Sequence, residues 1–365
     1  MVSMIAYGVS VVGTVLTLAM RFLGADAALT FGVSALTILA LAYTLGHATE
    51  QLGAVAGPRV GGIMNATVGN VGELIIAGFL IVDGQLAIVH ASITGSIIGN
   101  LLLVLGASLL VGGLRNGIQR YDSQLTGMNA ASLILATIGL VVPATFAFLI
   151  GAGESTGPGD PNFGRIEGLT VGVAILLLIT YAAQTWFFLR SSDSPETTHS
   201  GEAQAAAAAE HATWSWKRSL AVLIASAAAL TAASEVLVHN LEPAAEALGL
   251  PDLFIGIILI PLIGNLAEHI VGVTLAYKNK MDFSLVTSIG SATQIALFVT
   301  PLLVFFGLAV GQPLSLVFTP LEVVGVGVGV FIASYIALDG RSNWVEGLQL
   351  LSVYLIVAIA FFFLG

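Results

Sequence analysis

The chain contains no cysteine and very little charge. Without thiols it forms neither disulfide bonds nor thiolate metal sites. Charged residues make up only 9% of the 365 residues, whereas an ordinary soluble domain has about 25%. This is too little charge to cover a globule of this size with a hydrated surface. The composition therefore excludes an ordinary soluble protein and indicates that a lipid bilayer surrounds most of the chain.

Basic residues are especially scarce, with 11 Lys and Arg against 21 Asp and Glu and a net charge of −10. No basic run could follow a phosphate backbone, so nucleic acid is excluded as a partner. The sequence also lacks His-Glu-x-x-His, and we expect a non-enzyme without a cofactor. The first segment is apolar almost at once and has no charged leader, which predicts a retained helix rather than a cleaved signal peptide.

Charges, prolines and glycine clusters divide the apolar sequence into eleven segments of roughly the 20 residues that a spanning helix needs. We therefore predict an all-α integral membrane protein of about 11 transmembrane helices. The predicted spans are residues 4–21, 28–48, 60–82, 86–111, 125–150, 167–189, 218–239, 253–276, 284–309, 315–337 and 344–364.

Several short motifs occur twice, in the same order and at nearly constant separation, which indicates an internal repeat. Each repeat contains five spans, and an odd number predicts that the second half is inverted in the membrane. The predicted organisation is an extra N-terminal helix (1–26), two five-helix repeats (27–190 and 217–365) and an acidic linker (191–216). The matching pairs are His47-x-x-Glu50 with His239-x-x-Glu242, Gly69-Asn70-x-x-Glu73 with Gly264-Asn265-x-x-Glu268, Gly95-Ser96 with Gly290-Ser291, Thr126-x-x-Asn129 with Thr319-x-x-Glu322, and Glu167-Gly-Leu with Glu346-Gly-Leu.

The loops are asymmetric in charge, which predicts the orientation of the chain. Arg21 and Arg165 fall on one side, and the other nine basic residues fall on the opposite side, which we expect to be cytoplasmic. The N-terminus and the linker are then cytoplasmic and the C-terminus is not, in what we expect to be a prokaryotic plasma membrane. The linker is interpreted as a plain tether, or alternatively as an ion sensor through Glu202, Glu210, His199 and His211.

Glu73 and Glu268 fall near the middle of their predicted spans. A charged carboxylate at that depth costs about 2.5–3.5 kcal/mol on insertion scales, so such a group is expected to face a cavity, a cation or a proton partner. Each has an asparagine three residues earlier, Asn70 or Asn265, on the same helix face. Gly69, Gly264 and Pro261 predict broken backbone at this depth, with carbonyl oxygens facing a cavity.

The helices that follow supply further oxygens, from Ser96 and Asn100 in the first repeat and from Ser291 and Gln294 in the second. Two carboxylates with neutral oxygens favour a hard divalent cation. The alternative is a set of hydrogen bonds between helices. Because buried carboxylates that lie close together hold protons readily, protons should compete with the cation, which is the basis of an antiporter.

At these residues the chain resembles the Ca²⁺/H⁺ exchangers (the cation/proton exchanger, or CAX, family). The resemblance covers roughly residues 28–364 and is carried by Asn65-Ala-Thr-Val-Gly-Asn-Val-Gly-Glu-Leu-Ile-Ile76, Gly95-Ser-Ile-Ile-Gly-Asn-Leu-Leu-Leu-Val-Leu-Gly106, Pro261-Leu-Ile-Gly-Asn-Leu-Ala-Glu-His269 and Gly290-Ser-Ala-Thr-Gln-Ile-Ala-Leu-Phe298. The resemblance implies Ca²⁺ transport driven by a proton gradient. Glu73 and Glu268 would alternate between metal and proton, and Asn70, Asn265, Ser96, Asn100, Ser291 and Gln294 would line the site.

Four further residues are candidates for accessory roles. Glu50 and Glu242 are expected to form acidic entrances that gather cations, or else to be ordinary solvated helix ends. His269 would handle protons or pack against neighbours, and Glu322 would belong to the ion or proton path.

A Na⁺-coupled exchanger is the alternative function. The sequence does not predict the oligomeric state, the stoichiometry or the preference among divalent cations.

Overall fold

The computed structural model describes residues 2–56, 68–152, 159–190 and 214–364. The described helices are α1 (Val2–Leu23), α2 (Ala27–Ala56), α3 (Val71–Val82), α4 (Leu86–Asn116), α5 (Ser123–Leu149), α6 (Phe163–Arg190), α7 (Trp216–His239), α8 (Leu241–Leu248), α9 (Ile260–Tyr277), α10 (Met281–Val310), α11 (Pro320–Asp339) and α12 (Trp344–Leu364). Most of the predicted linker, Arg59 and the start of the predicted third span lie outside these residues.

Within the described residues, nine helices are long and apolar enough to cross a membrane. The helix α8 and the helical segment Asp252–Leu266 pass the same test together, although the chain bends by 115° between them. If this pair is counted as one span, the described residues contain ten. The predicted third span contributes only α3, a short apolar helix, because its first part is not described. Most of the other predicted ends agree with the helices to within about five residues, but α2 continues past its predicted end at residue 48 to Ala56.

Two sequence predictions about helix boundaries were wrong. The tenth span was expected from residue 315, but α11 begins at Pro320, because the Thr319 side chain caps the helix and the proline occupies its first turn. The helix α8 was not predicted at all. This helix is amphipathic and only eight residues long, so it does not contain an apolar run of the length from which spanning helices are predicted.

Two long helices of the bundle change to π-helix in the middle, at Gly99–Val104 in α4 and at Ile295–Val299 in α10. These segments occupy matching positions in the two repeats. A third π segment, Ile255–Leu259, directly precedes α9. The segments Ile255–Leu259 and Ile295–Val299 lie just before Pro261 and Pro301, respectively. A proline has no backbone N–H and cannot donate the hydrogen bond that an α-helix requires.

Contacts between loops fix the relative direction of the two repeats. After α4, strand β1 (Gln119–Arg120) pairs antiparallel with β2 (Arg341–Ser342), which follows α11. The α4–α5 connection of the first repeat therefore lies beside the α11–α12 connection of the second. The counterpart of α11–α12 in the first repeat is the α5–α6 connection, which comes one helix after α4–α5. At the other end, Leu316 N, before α11, donates to Thr170 Oγ1 near the start of α6. The second repeat thus runs through the bundle in the opposite direction to the first, as predicted.

The helices are apolar on the outside and carry polar groups inside, the pattern expected in a bilayer. The side of α1 that faces away from the bundle exposes Val11, Val12 and Val15, which only lipid would cover. In contrast, the asparagines of the predicted site are almost completely buried. The site therefore lies inside the bundle, where α3, α4, α9 and α10 meet.

Candidate ion-binding site

Glycines allow the two carboxylate helices to approach each other closely. A Cβ on Gly264 would lie 3.4 Å from Cγ of Glu73, and a Cβ on Gly72 would lie 3.6 Å from the Gly264 carbonyl oxygen. Glu73, in the first turn of α3, is therefore placed directly against the backbone of α9. These are ordinary van der Waals distances, so α3 and α9 pack directly against each other at Gly72 and Gly264.

The backbone break predicted at both glutamates occurs in the first repeat only. Gly69 and Asn70 form a turn that leads into α3. In the second repeat, α9 runs without interruption through Gly264, so the prediction of broken backbone at this glycine was wrong. The irregular backbone lies earlier, in the π segment before Pro261, because it is the proline and not the glycine that removes a hydrogen-bond donor.

The two glutamates, one from each repeat, lie close enough for their charges to interact. Glu73 is only 6% exposed, and its charge interacts with that of Glu268. The Asn265 side chain lies beside Glu73, and the Ser291 side chain lies beside Glu268. Each carboxylate therefore has a polar neighbour from the second repeat, and the pair forms one site rather than two separate ones.

Three side-chain hydrogen bonds join the repeats around this pair, and each uses an asparagine amide as donor. Asn70 Nδ2 donates to Gln294 Oε1 at 2.8 Å. Asn265 Nδ2 donates to Ser96 Oγ at 3.3 Å. Asn100 Nδ2 donates to Ser291 Oγ at 3.0 Å. All eight residues predicted from the sequence are thus brought into one cluster inside the bundle.

The cluster contains more buried acceptors than donors. Several buried oxygens of the cluster have no hydrogen-bond partner within the described residues, namely Oε1 and Oε2 of Glu73, Oε2 of Glu268, Oδ1 of Asn100 and Oδ1 of Asn265. Leaving a buried acceptor unpaired costs about 1–3 kcal/mol, so such a set needs an explanation. A cation or protons would satisfy these oxygens, whereas another acceptor would not.

The composition of the cluster suits a hard cation. In the part of the chain that the structure describes, no three Asp, Glu or His side chains come together as a metal-binding group. The candidate site consists instead of two carboxylates and neutral amide and hydroxyl oxygens. Two negative charges balance one divalent ion, and oxygen-only ligands favour Ca²⁺ over the metals that prefer nitrogen or sulfur.

Glu322 has a structural role that the Thr319-x-x-Glu322 spacing, the sequence signature of a capping box, could have indicated. Its Oε2 accepts from the Thr319 backbone N–H at 2.8 Å, and the Thr319 hydroxyl accepts from the Glu322 N–H at 3.2 Å. This reciprocal pair is a capping box that fixes the start of α11. The side chain is 1% exposed and lines a narrow gap with Thr137 and Phe318. Its part in an ion or proton path stays a prediction.

His269 follows Glu268 directly on α9 and is buried. Its Nε2 has no hydrogen-bond partner among the described residues. Neighbouring residues of a helix point about 100° apart, so His269 does not face the same way as Glu268. The role of His269 in packing or in proton handling stays a prediction.

Glu50 and Glu242 lie at opposite ends of α7, a helix of 24 residues that is about 36 Å long. Glu50 is half exposed and lies 3.7 Å from Nδ1 of His47, near the residues that precede α7. Glu242 follows α7, and its Oε1 accepts from Nε2 of Gln85 at 3.0 Å. The two acids are placed as entrances at opposite sides would be, but both also have local partners.

Two features of the site could not be found by reading the motifs. The sequence grouped Ser96, Ser291 and Gln294 with the oxygen ligands, whereas the structure shows that each accepts a hydrogen bond from an asparagine of the other repeat. The contact between Trp214 and His47 was also missed. The repeated His-x-x-Glu motif marked His47, but no local signal marked Trp214.

Comparison with known proteins identifies relatives over nearly the whole chain. A family model described as sodium/calcium exchanger protein matches residues 27–190 and 218–363. The chain is 42% identical over 346 residues to a Ca²⁺/H⁺ antiporter of Aphanothece halophytica, which covers 91% of this chain and 90% of that protein. It is 40% identical over 343 residues to the Ca²⁺/H⁺ antiporter ChaA of Bacillus subtilis, covering 92% and 93% respectively.

Solved structures show the same architecture. The structure of native YfkE matches with a TM-score of 0.82 and 35% identity, covering 98% of this chain and 99% of that one. The H⁺/Ca²⁺ exchanger CAX matches with a TM-score of 0.74 at 15% identity, covering 98% and 91%. The sodium-calcium exchanger NCX_Mj matches with a TM-score of 0.52 at 18% identity, covering 92% and 98%. The last two likenesses concern the fold alone. The predicted class, an all-α integral membrane protein, is confirmed.

Proposed function

Because the chain belongs to the sodium/calcium exchanger family, we propose that it is a secondary antiporter that exchanges Ca²⁺ for protons across a membrane. The observation that carries this proposal is the buried pair Glu73 and Glu268, surrounded by oxygens that lack donors. Three relatives that are 42%, 39% and 40% identical to the chain are Ca²⁺/H⁺ antiporters by name, which agrees with this chemistry.

Competition for the two carboxylates couples the ion to the proton. When both are ionised, their charges repel each other inside the bundle, and one Ca²⁺ relieves the repulsion by neutralising both. When Ca²⁺ leaves, about two protons do the same. The site is therefore stable when it holds Ca²⁺ or protons, and unfavourable when it is empty. This prevents the empty or doubly loaded transporter from switching between the two sides of the membrane.

In this proposal the asparagines bind the ion and their partners hold them in place. The side-chain amides of Asn100 and Asn265 donate hydrogen bonds to Ser291 and Ser96. The Oδ1 atoms of the two asparagines are therefore left to face the ion. Gln294 holds Asn70 in the same way. Ser96, Ser291 and Gln294 then act as positioning residues for the asparagines, in addition to any direct contact with Ca²⁺.

The inverted repeats supply the alternation between sides. Each repeat contributes one glutamate helix, and each asparagine bonds to the other repeat, so a shift of one repeat against the other changes which side the site faces. A Na⁺-coupled exchanger remains the alternative, because NCX_Mj shares the fold. Dependence of transport on a Na⁺ gradient rather than a pH gradient would select it.

We further propose that the end of the bundle near β1 and β2 is cytoplasmic and that the membrane is a prokaryotic plasma membrane. Arg115, Arg120 and Arg341 gather at this end, whereas Arg21 and Arg165 lie at the other. The proposal agrees with the bacterial source of close relatives. Since the chain has no cysteine, Lys280→Cys and Asp83→Cys can be labelled with a membrane-impermeant maleimide. Labelling of Asp83→Cys and protection of Lys280→Cys in intact cells is expected, and the reverse would contradict the orientation.

A direct test of the competition is to titrate the purified protein with Ca²⁺ in weak buffer and follow the pH. Binding of Ca²⁺ should release protons, and raising the proton concentration should weaken Ca²⁺ binding. Glu73→Gln should release fewer protons for each ion bound. Binding of Ca²⁺ without proton release across the range from about pH 6 to pH 8 would contradict a shared site.

A further inference from the structure

The last residues of the central linker are fixed to the end of α2 by an aromatic cluster. The Trp214 ring is perpendicular to the His47 ring at 5.3 Å between centroids, and lies 5.9 Å from the ring of Tyr7 of α1. His47 is also flanked by Tyr43, one turn earlier on α2. The Trp214 backbone N–H donates to Gln51 Oε1 at 3.2 Å. We call Tyr7, Tyr43, His47, Glu50 and Trp214 the Trp214 latch.

The latch is built around an imidazole. His47 is the imidazole at its centre, and Oε2 of Glu50 lies 3.7 Å from its Nδ1. The other charged or titratable groups around it are Tyr7, Tyr43 and Arg218, whose guanidinium lies over the Trp214 ring at 4.5 Å. Arg218 opposes a second positive charge, but Glu50 is the group that contacts the imidazole.

The repeat provides a comparison that isolates this feature. His239 and Glu242 are the counterparts of His47 and Glu50 at the other end of the bundle. His239 is exposed, and among the described residues it makes no ring contact and no ion pair. Glu242 bonds to Gln85 instead. The same motif is therefore enclosed in aromatic rings at one end only, the end where the linker joins α7.

The latch joins helices that contact both halves of the ion site. The helix α7, which starts two residues after Trp214, packs along α2 and against α3, the helix of Glu73. In turn, α2 packs against α9, the helix of Glu268. A contact that fastens α2 to the start of α7 therefore resists relative movement of the two repeats at this end of the bundle.

We propose that the Trp214 latch is a proton-sensing regulatory contact, in which protonation of His47 fastens the end of the linker and the start of α7 to α2. A charged imidazole gains an ion pair with Glu50 and cation–π attraction to the indole ring of Trp214, and both are lost when the proton leaves. Acidification on this side therefore holds this end of the bundle closed and slows turnover, separately from proton competition at Glu73 and Glu268.

The latch is tested by tryptophan fluorescence, which requires no transport. The Trp214 signal is the difference between the spectra of the purified wild type and Trp214→Phe. A protonated imidazole in contact with an indole quenches its emission, so the signal should fall between about pH 8 and pH 5, where imidazoles change charge. His47→Gln should abolish this fall, and the matched control His239→Gln should retain it. Persistence of the fall in His47→Gln, or its absence from the wild type, would overturn the proposal.

A second variant covers the case in which His47→Gln does not fold. Glu50→Gln keeps the imidazole and removes its carboxylate partner, so the fluorescence transition should move to more acid pH. An unmoved transition would show that the ion pair does not hold the latch.

The effect on turnover, which rests on the proposed function, is measured as Ca²⁺–Ca²⁺ exchange in vesicles with equal pH on both sides. At about pH 6, His47→Gln should exchange about two- to fivefold faster than the wild type, whereas the two should agree at about pH 8. His239→Gln should follow the wild type at both. Equal rates of wild type and His47→Gln at pH 6 would overturn the regulatory role. A protein that moves no Ca²⁺ would instead refute the proposed function and leave the fluorescence result to decide the latch.

Discussion

The side-chain amide of Asn70 donates a hydrogen bond to Oε1 of Gln294 at 2.8 Å, joining the first repeat to the second beside the two buried glutamates. Asn70 directly precedes α3, three residues before Glu73, and Gln294 directly precedes the π segment of α10. A change in this bond therefore affects both the orientation of a candidate ligand and the packing between repeats.

We expect Gln294→Ala to weaken Ca²⁺ binding by about five- to thirtyfold, because about 1–2 kcal/mol is lost when a buried hydrogen bond loses one partner. Calorimetric titration of the purified protein measures this. Thr293→Val is the control, since in the described part of the chain the Thr293 hydroxyl bonds only to the Ile289 carbonyl of its own helix.

A double-mutant cycle separates positioning from direct binding. If Gln294 acts through Asn70, adding Gln294→Ala to Asn70→Ala should weaken binding little further. If the two losses add in full, Gln294 is an independent ligand and the positioning role is wrong.

Glu73→Gln and Glu268→Gln should each abolish exchange while leaving the protein folded. Either substitution removes one of the two charges that balance Ca²⁺ and one of the two groups that take up a proton. Transport in vesicles, together with a gel-filtration profile like that of the wild type, measures this. Retention of more than roughly half of the activity by either variant would show that its carboxylate is not part of the exchange site.

Gly95→Ala should destabilise the bundle strongly. A Cβ at Gly95 would lie 2.0 Å from the Ile257 carbonyl oxygen and 2.6 Å from Cγ of Pro261, so the helices would have to separate. We expect a loss of about 1–3 kcal/mol or a failure to fold. Gly290→Ala, at the matching position of the second repeat, is the control because a Cβ there would meet nothing within 4 Å. Thermal unfolding in detergent should separate the two, and equal melting temperatures would contradict the packing described.

Tyr121→Phe should reduce the loss of stability at alkaline pH. Tyr121 lies between β1 and α5, and its hydroxyl donates to the backbone carbonyls of Ile336 and Arg341. Burial, and then the negative charges of Glu346 and Asp339, raise the pKa of Tyr121 above its usual range. The stabilisation is therefore complete below the unfolded pKa of about 10 and is lost as the pH rises above it. Unfolding at about pH 9 and about pH 11 measures this, and an equal alkaline loss in the variant would contradict it.

Sequence reading predicted the fold well because the bilayer imposes simple rules. Length, apolar composition and the repeated motifs were enough to place most spanning helices, the two repeats and their inversion. The short α8 and the start of α11 were missed because they depend on amphipathicity and on a cap by Thr319, and neither produces a long apolar run. The break expected at Gly264 was wrong because glycine permits a break without requiring one.

The candidate site could be assembled from the sequence only as a set of residue types. Two mid-span glutamates with asparagines at i−3 indicated an oxygen-rich site, and the structure brings these residues together. Which asparagine bonds to which partner depends on the register of helices that are far apart in sequence, as for Asn100 and Ser291. The Trp214 latch likewise depends on where the linker ends in space, which no local pattern encodes.

The central claim is tested most directly by uptake of radioactive Ca²⁺ into proteoliposomes with an imposed pH gradient, with a parallel sample that has only a Na⁺ gradient. We expect uptake that follows the pH gradient, ignores the Na⁺ gradient and stops in Glu73→Gln. Uptake that follows only the Na⁺ gradient, or that continues unchanged in Glu73→Gln, would contradict proton exchange at the site formed by Glu73 and Glu268.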